Sequence, residues 1–267
     1  MCIRDSLKTT FIENNLLREK IIYLNNLNAI EDNYFSQNFG STYFTINNAR
    51  KIGLIREKIE IISDNEAEKY ALITSLLYAV DKVANTVGHY DAFRSNLDTI
   101  KEIKLLLPNI QTEINFNNKV FRQDANILLE KINCDVLYID PPYNSRQYCD
   151  AYHLLENLSA WDKPEVFGKA KKMNRDHIKS KYCLKNATIV FEDLINKANC
   201  NHILFSYNNT AESKDSRSNS RINDQDILRI LNNKGKVDIF ESEYKSFTTG
   251  KSSGYGNYER IFYCRVN

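Results

Sequence analysis

Residues 134–148 read C-D-V-L-Y-I-D-P-P-Y-N-S-R-Q-Y. Val136–Ile139 is an uninterrupted apolar run ended by two prolines, the pattern of a strand buried on both faces. Asp140 falls at the carboxyl end of that strand, where ligands gather in open parallel sheets. Pro141 and Pro142 stiffen the turn and remove backbone N–H groups that would compete for the carboxylate. Tyr143 adds a flat face beside it. These parts suit a planar base carrying an exocyclic amine. Asp140 and a prolyl carbonyl accept the two N–H bonds, and Tyr143 stacks on the ring. A strand-ending turn would by itself account for the prolines. It would not need the polar and aromatic continuation Asn144–Tyr148, and two of the chain's four prolines stand here.

The residues before this stretch read as helices. Phe11–Leu27, Ala49–Ile62 and Glu66–Ala84 carry apolar residues at helical spacing, as does Leu97–Leu107, which Pro108 ends. Asn38–Asn47 is an aromatic loop or short strand. After Asn118 the pattern alternates. Strands are expected at Lys119–Gln123, Val136–Ile139, His202–Tyr207, Val237–Tyr244 and Arg260–Arg265. Helices are expected at Ala125–Lys131, Tyr148–Trp161, Ala187–Ala198 and Gln225–Asn232. This order predicts a three-layer α/β sheet ending in an antiparallel hairpin around a Gly/Ser loop at 245–257.

Composition narrows the alternatives. The chain has 267 residues, of which 42% are hydrophobic and 26% charged, enough for a packed core. Glycine occurs 8 times and proline 4 times, well under the usual roughly 7% and 5%, which excludes collagen-like and linker-like chains. A net charge of +2 excludes a polybasic binder but leaves room for a local basic patch. The six cysteines form no CxxC pair, and His177 and His202 lack zinc-ligand spacing, so reduced thiols in a cytoplasmic protein and no metal are expected. The longest apolar stretch, Ala71–Val80, is too short to span a bilayer, so no membrane partner is expected. Met1–Ser6 has no apolar segment of a secretory signal.

At Asp140–Tyr143 the sequence resembles the S-adenosylmethionine-dependent amino-methyltransferases, whose D-P-P-Y tetrad follows a buried strand. The longer string YIDPPYNSRQYCDAYHLLENL resembles the D12 class of adenine-N6 DNA methyltransferases of restriction–modification systems. So do YFTINNARKIGLIR (43–56), DKVANTVGHYDAF (81–93) and FSYNN (205–209). The resemblance implies a Rossmann-like methyltransferase sheet with a helical target-recognition region. It implies that Asp140, Pro141, Pro142 and Tyr143 are catalytic. Asp124 and Ala125, with Asp140, would hold the cofactor, S-adenosyl-L-methionine. Asp124 would bond the cofactor's adenine, and the position also suits a helix N-cap. Asn144, Arg146 and Gln147 would flank the target base in double-stranded DNA, and Ser206, Tyr207 and Asn208 would line the same rim. Tyr43–Asn48 and Asn85–Phe93 fall in the region that includes DNA-recognition elements. A cognate restriction endonuclease would be a functional rather than physical partner. Some ribosomal RNA methyltransferases share the tetrad, so an RNA amino-methyltransferase and an inactive DNA-binding remnant are the alternatives.

The implied reaction is direct displacement of a methyl group onto N6 of an adenine flipped from the duplex. Two acceptors at the amine would localise its lone pair, and Asp140 would stabilise the charge that develops. Lys163–Lys185 holds eight basic side chains and two acids. A solvated loop would look the same. Because the run follows the tetrad by one helix, Lys169, Lys171 and Lys172 are expected on DNA phosphates. Arg217 and Arg221 are weaker candidates of the same kind. His153 and Trp161 are expected to be structural.

One family element is not found. A Gly-rich turn after the first strand admits the methionine end of the cofactor, and no such strand–Gly–helix unit occurs here. Gly254 and Gly256 precede a strand instead. The expectation is an N-terminally incomplete copy, with 1–6 a non-native lead-in, 7–118 the helical recognition region and 119–267 the catalytic core. An open sheet edge and weak cofactor binding follow from it.

Overall fold

The computed structural model describes residues 14–97, 101–109, 118–208, 219–243 and 258–267. Residues 1–6, Arg217 and the loop at 245–257 lie outside them. Two compact units are present, one from Met1–Arg122 and Cys149–Asp176, the other from Gln123–Tyr148 and His177–Asn267. The division is thus not a single cut near residue 118, because the segment after the tetrad joins the helical unit.

The helical unit contains α1 (Asn14–Asn25), α2 (Tyr34–Phe39), α3 (Ile46–Ile62) and α4 (Glu66–Val83). Side chains of Asn33, Thr45 and Asn65 accept N–H bonds at the starts of α2, α3 and α4. Apolar residues at helical spacing, among them Ile52, Ile55, Ile59, Leu72, Leu76 and Val80, are fully buried together with Phe35, Phe39 and Phe44. The expected helix of Tyr148–Trp161 forms as two pieces, α6 (Tyr148–Ala151) and α7 (His153–Ala160), with Tyr152 between them.

The helix expected over Leu97–Leu107 is not formed at 101–109. Ile103 and Leu105 are buried while Glu102, Lys104 and Leu106 are exposed, a period of two rather than 3.6. Asparagine side chains from the helices stand in for a partner strand. Asn48 accepts from Ile103 N–H at 3.0 Å and donates to the Lys101 carbonyl at 2.9 Å. Asn25 likewise accepts from Leu105 N–H at 2.8 Å and donates to its carbonyl at 3.0 Å. A primary amide copies the peptide unit, so these contacts satisfy backbone groups that burial would otherwise strand. Clustered leucines hid this arrangement.

His153 is fully buried, with Nε2 2.8 Å from the Tyr90 carbonyl. Burial pushes its pKa down to about 4, and the nearby Lys172 and Arg175 act in the same direction. The folded state therefore holds His153 neutral at pH values where the unfolded chain is protonated. Stability should be full above about pH 6.5 and fall as pH drops towards 4, by up to about 3 kcal/mol. Urea midpoints across pH 7 to 4 test this. His153→Gln should lose that part of the pH dependence; an unchanged profile would reject the assignment.

The second unit contains α5 (Ala125–Leu128), β1 (Cys134–Ile139), α8 (Ala187–Lys197), β2 (Cys200–Ser206), α9 (Asp224–Asn232), β3 (Gly235–Glu243) and β4 (Tyr258–Val266). The sheet order is β1-β2-β4-β3, with β1 parallel to β2 and the remaining pairs antiparallel. Phe191, Leu194 and Ile195 of α8 and Ile227, Ile230 and Leu231 of α9 join Ile203, Phe205, Phe262 and Cys264 in one core. Phe191 stacks on Phe205 with ring centroids 4.3 Å apart.

Two expectations are corrected here. Lys119–Gln123 forms no strand. β1 is not buried on both faces: Val136 is 51% and Tyr138 57% exposed. Their row continues through His202 and Leu204 to Tyr263 on β4, so among the described residues this face carries no helix layer. Among the described residues β1 is an edge strand of the sheet. No helix among the described residues is long and apolar enough to cross a membrane.

Candidate active site

Parallel pairing sets Ile139 beside Phe205, so Asp140 follows β1 at the carboxyl edge of the strand pair, where Ser206 is the last residue of β2. Asp140 is exposed, and Pro141, Pro142 and Tyr143 are half-buried. The prolines end β1 because they cannot donate to a ladder.

Tyr143 is held by its backbone. Its carbonyl accepts from the Tyr207 hydroxyl at 3.0 Å and from Arg221 N–H at 2.8 Å. The Tyr207 oxygen in turn accepts from Arg221 N–H at 3.2 Å and Ile222 N–H at 3.1 Å. One buried hydroxyl thus joins the end of β2, the tetrad and the start of α9. Burial pushes this phenol up to about 12, so it remains a donor. The Tyr143 and Tyr207 rings meet edge to face at 6.4 Å, and Tyr207 stacks on Phe205 at 5.1 Å. The sequence places Tyr207 on the rim but has no signal for this junction, whose partners are distant in the chain.

Tyr207→Phe keeps the ring and removes the hydroxyl. The expected result is a stability loss of about 1–3 kcal/mol, from buried groups left without partners. Urea denaturation reads the effect, and a variant with wild-type stability would remove the hydroxyl from this junction.

The loop after the tetrad is pinned by its own side chains. Asn144 Oδ1 accepts from Arg146 N–H at 2.9 Å. Gln147 is buried, and its amide pairs with both backbone groups of Ser180, at 2.7 and 3.0 Å. Cys183 Sγ reaches the Arg146 carbonyl at 3.4 Å. Gln147 was expected to flank the target base; here it is committed to the fold. Asn144 is half-buried and Arg146 exposed on the same loop.

Asp124 caps α5, accepting from Asn126 N–H at 2.9 Å, and its other oxygen lies 3.5 Å from Lys181 Nζ. Behind it, Asn126 donates to the Val190 carbonyl and to Asp193, and Tyr182 donates to Asn126. Asp124 and Ala125 remain exposed. In the helical unit, Lys169 is exposed and Lys171 half-buried. Lys172 instead pairs with Asp91 and Asp150. Lys172 was expected on a phosphate; here its ammonium bridges these two carboxylates.

Two buried polar atoms beside the tetrad have no partner among the described residues, Asn208 Oδ1 and Arg221 Nε. An acceptor and a donor left unsatisfied on this rim fit a polar ligand, since burial without a partner is costly. For a methyl-donor cofactor the fit is partial. Asp124 and Ala125 suit its adenine end, while the described glycines 40, 53, 88, 168 and 235 are isolated and form no Gly-rich turn.

The free carboxylate, the two prolines and the clamped tyrosine at the carboxyl edge of a parallel strand pair have a match across the chain. The model of the D12 class N6 adenine-specific DNA methyltransferases matches residues 6–218. The chain belongs to this family. It is 35% identical over 257 residues to modification methylase StsI of Streptococcus sanguinis, covering 90% of this chain and 38% of that protein. Type II methyltransferase M.FokI of Planomicrobium okeanokoites is 36% identical over 231 residues, 83% of this chain and 34% of the relative. Type II methyltransferase M.NlaIII of Neisseria lactamica is 36% identical over 216 residues, 79% of this chain and 61% of the relative. The chain thus spans between about a third and three-fifths of these relatives. No solved structure matches it.

Proposed function

We propose that this D12-class chain methylates N6 of adenine at a specific site in double-stranded DNA, as the modification activity of a restriction–modification system. The observation that carries the reading is the exposed Asp140 carboxylate at the end of β1, beside a Tyr143 fixed by Tyr207 and Arg221. Asp140 and the Pro141 carbonyl accept the two N6 hydrogens of the flipped base, and Tyr143 stacks on its ring. Accepting both hydrogens draws the nitrogen lone pair out of conjugation, and the carboxylate balances the positive charge that grows on nitrogen. S-adenosyl-L-methionine supplies an electrophilic methyl group when bound, with Asp124 and Ala125 at its adenine end. A restriction endonuclease is the functional counterpart.

The test incubates the purified chain with methyl-labelled S-adenosylmethionine and duplex DNA, then separates the nucleosides. Label in N6-methyl-2′-deoxyadenosine supports the reading. Label in another nucleoside, or none while DNA is still bound, would overturn it, the last marking a DNA-binding remnant.

A further inference from the structure

In the helical unit two loops are locked to each other. The first, residues 86–91, is closed at its feet. Asn85 Nδ2 donates to the Thr42 and Arg94 carbonyls, each at 3.0 Å. Tyr90 N–H donates to the Ala151 carbonyl at 2.7 Å. The second is a hairpin over 167–172. Phe167 and Lys172 exchange both backbone bonds, at 2.8 and 3.0 Å. Its turn places Gly168 at φ 69° and Lys171 at φ 52°.

Two staples hold the loops side by side. The Tyr43 hydroxyl lies 2.7 Å from the Tyr90 carbonyl and 3.0 Å from that of Ala170. The Lys172 ammonium joins Asp91 of the first loop to Asp150, which also takes Arg175 Nε at 2.8 Å. Both acids are therefore neutralised from within. Lys169 and Lys171 have no ion pair among the described residues. Phe167 is 55% exposed and Val87, on the first loop, 58%. A left-handed backbone at a lysine is unfavourable, and such conformations concentrate at functional sites.

We infer that these two loops form one rigid DNA-contacting platform. Lys169 and Lys171 contact phosphates, Phe167 packs on nucleobase or deoxyribose surface, and Lys172 and Tyr43 hold the loops together without touching DNA. An exposed aromatic face on the same hairpin as ammonium groups without an ion pair among the described residues is the chemistry that binds bases along a charged backbone. The inference rests on the DNA reading above and adds residues that reading does not use.

Fluorescence anisotropy with a labelled duplex, over 50–200 mM salt, tests it without methyl transfer. Wild-type binding is measured first. Failure to bind any duplex would reject the DNA reading and the platform with it. Given binding, Lys169→Gln combined with Lys171→Asn, asparagine tolerating the left-handed turn, should flatten the salt slope by about 1.8, for two phosphates lost. Phe167→Ala should weaken binding about tenfold with the slope unchanged. Lys104→Gln, an exposed lysine elsewhere on the unit, should do neither. Platform variants that bind with wild-type affinity and slope would overturn the inference while leaving the DNA reading intact. Lys104, Phe167 and Lys169 are exposed and Lys171 half-buried, so circular dichroism should show an unchanged fold.

Discussion

Asp140→Ala is expected to reduce methyl transfer at least about a thousandfold while DNA affinity stays within severalfold. In the proposed reaction the carboxylate would accept an N–H bond from the amine and oppose the charge that develops during transfer. Loss of even a single preorganised stabilising group typically costs about a hundred- to a thousandfold in rate. Asp140 lies exposed at the end of β1 with its side chain outside the core, so the fold should not register the change. Asp140→Asn separates the two contributions. It keeps one acceptor of the same shape but removes the charge, and should retain more activity than alanine yet remain below about 1% of wild type. Single-turnover assays under saturating DNA isolate the chemical step. An alanine variant retaining a tenth of wild-type activity would remove Asp140 from the chemistry.

The largest stability effect is expected at Arg56. This side chain is fully buried in the helical unit. Its Nε donates to the Leu158 carbonyl at 2.8 Å and Nη2 to the Ser159 carbonyl at 3.1 Å, closing the carboxyl end of α7. Nη1 meets Glu60 at 2.6 Å, and the guanidinium lies 5.5 Å from the centroid of the Trp161 ring. Trp161 ends the helix at φ 60°, a left-handed residue held by what surrounds it. Arg56→Ala strands two buried carbonyls and opens a cavity beneath the indole, for an expected loss of about 3–5 kcal/mol. Arg56→Lys keeps the charge but cannot serve both carbonyls with one fork, and should lose about half as much. Urea denaturation followed by fluorescence of Trp161, the sole tryptophan, measures both. A loss under about 1 kcal/mol for alanine would show that water replaces the guanidinium.

Arg56 also shows where sequence reading stopped. Within α3 it is one polar residue on an amphipathic helix, and nothing near it in the chain names its partners beside Trp161. Gln147 and Lys172 belong to the same class. Each looks available for DNA when read with its neighbours, and each is taken by a group that only folding brings close, Ser180 for one and Asp91 with Asp150 for the other. Tyr207 is the converse, a residue on a recognisable motif whose hydroxyl acquires its role from a loop far along the chain.

What the sequence determined by itself was local or chemical. Helical spacing marked α3 and α4, and Asp140–Tyr143 pointed to amino-group chemistry because its parts are consecutive. Tertiary structure decided the rest. The leucines of 101–109 became an extended segment because Asn25 and Asn48 offered their amides to its backbone. β1 kept one face open because burial depends on what packs against a strand, and an apolar run is compatible with either outcome. Periodicity and turn chemistry are properties of neighbouring residues, whereas satisfaction of a buried polar group is a property of whichever groups the fold places within reach.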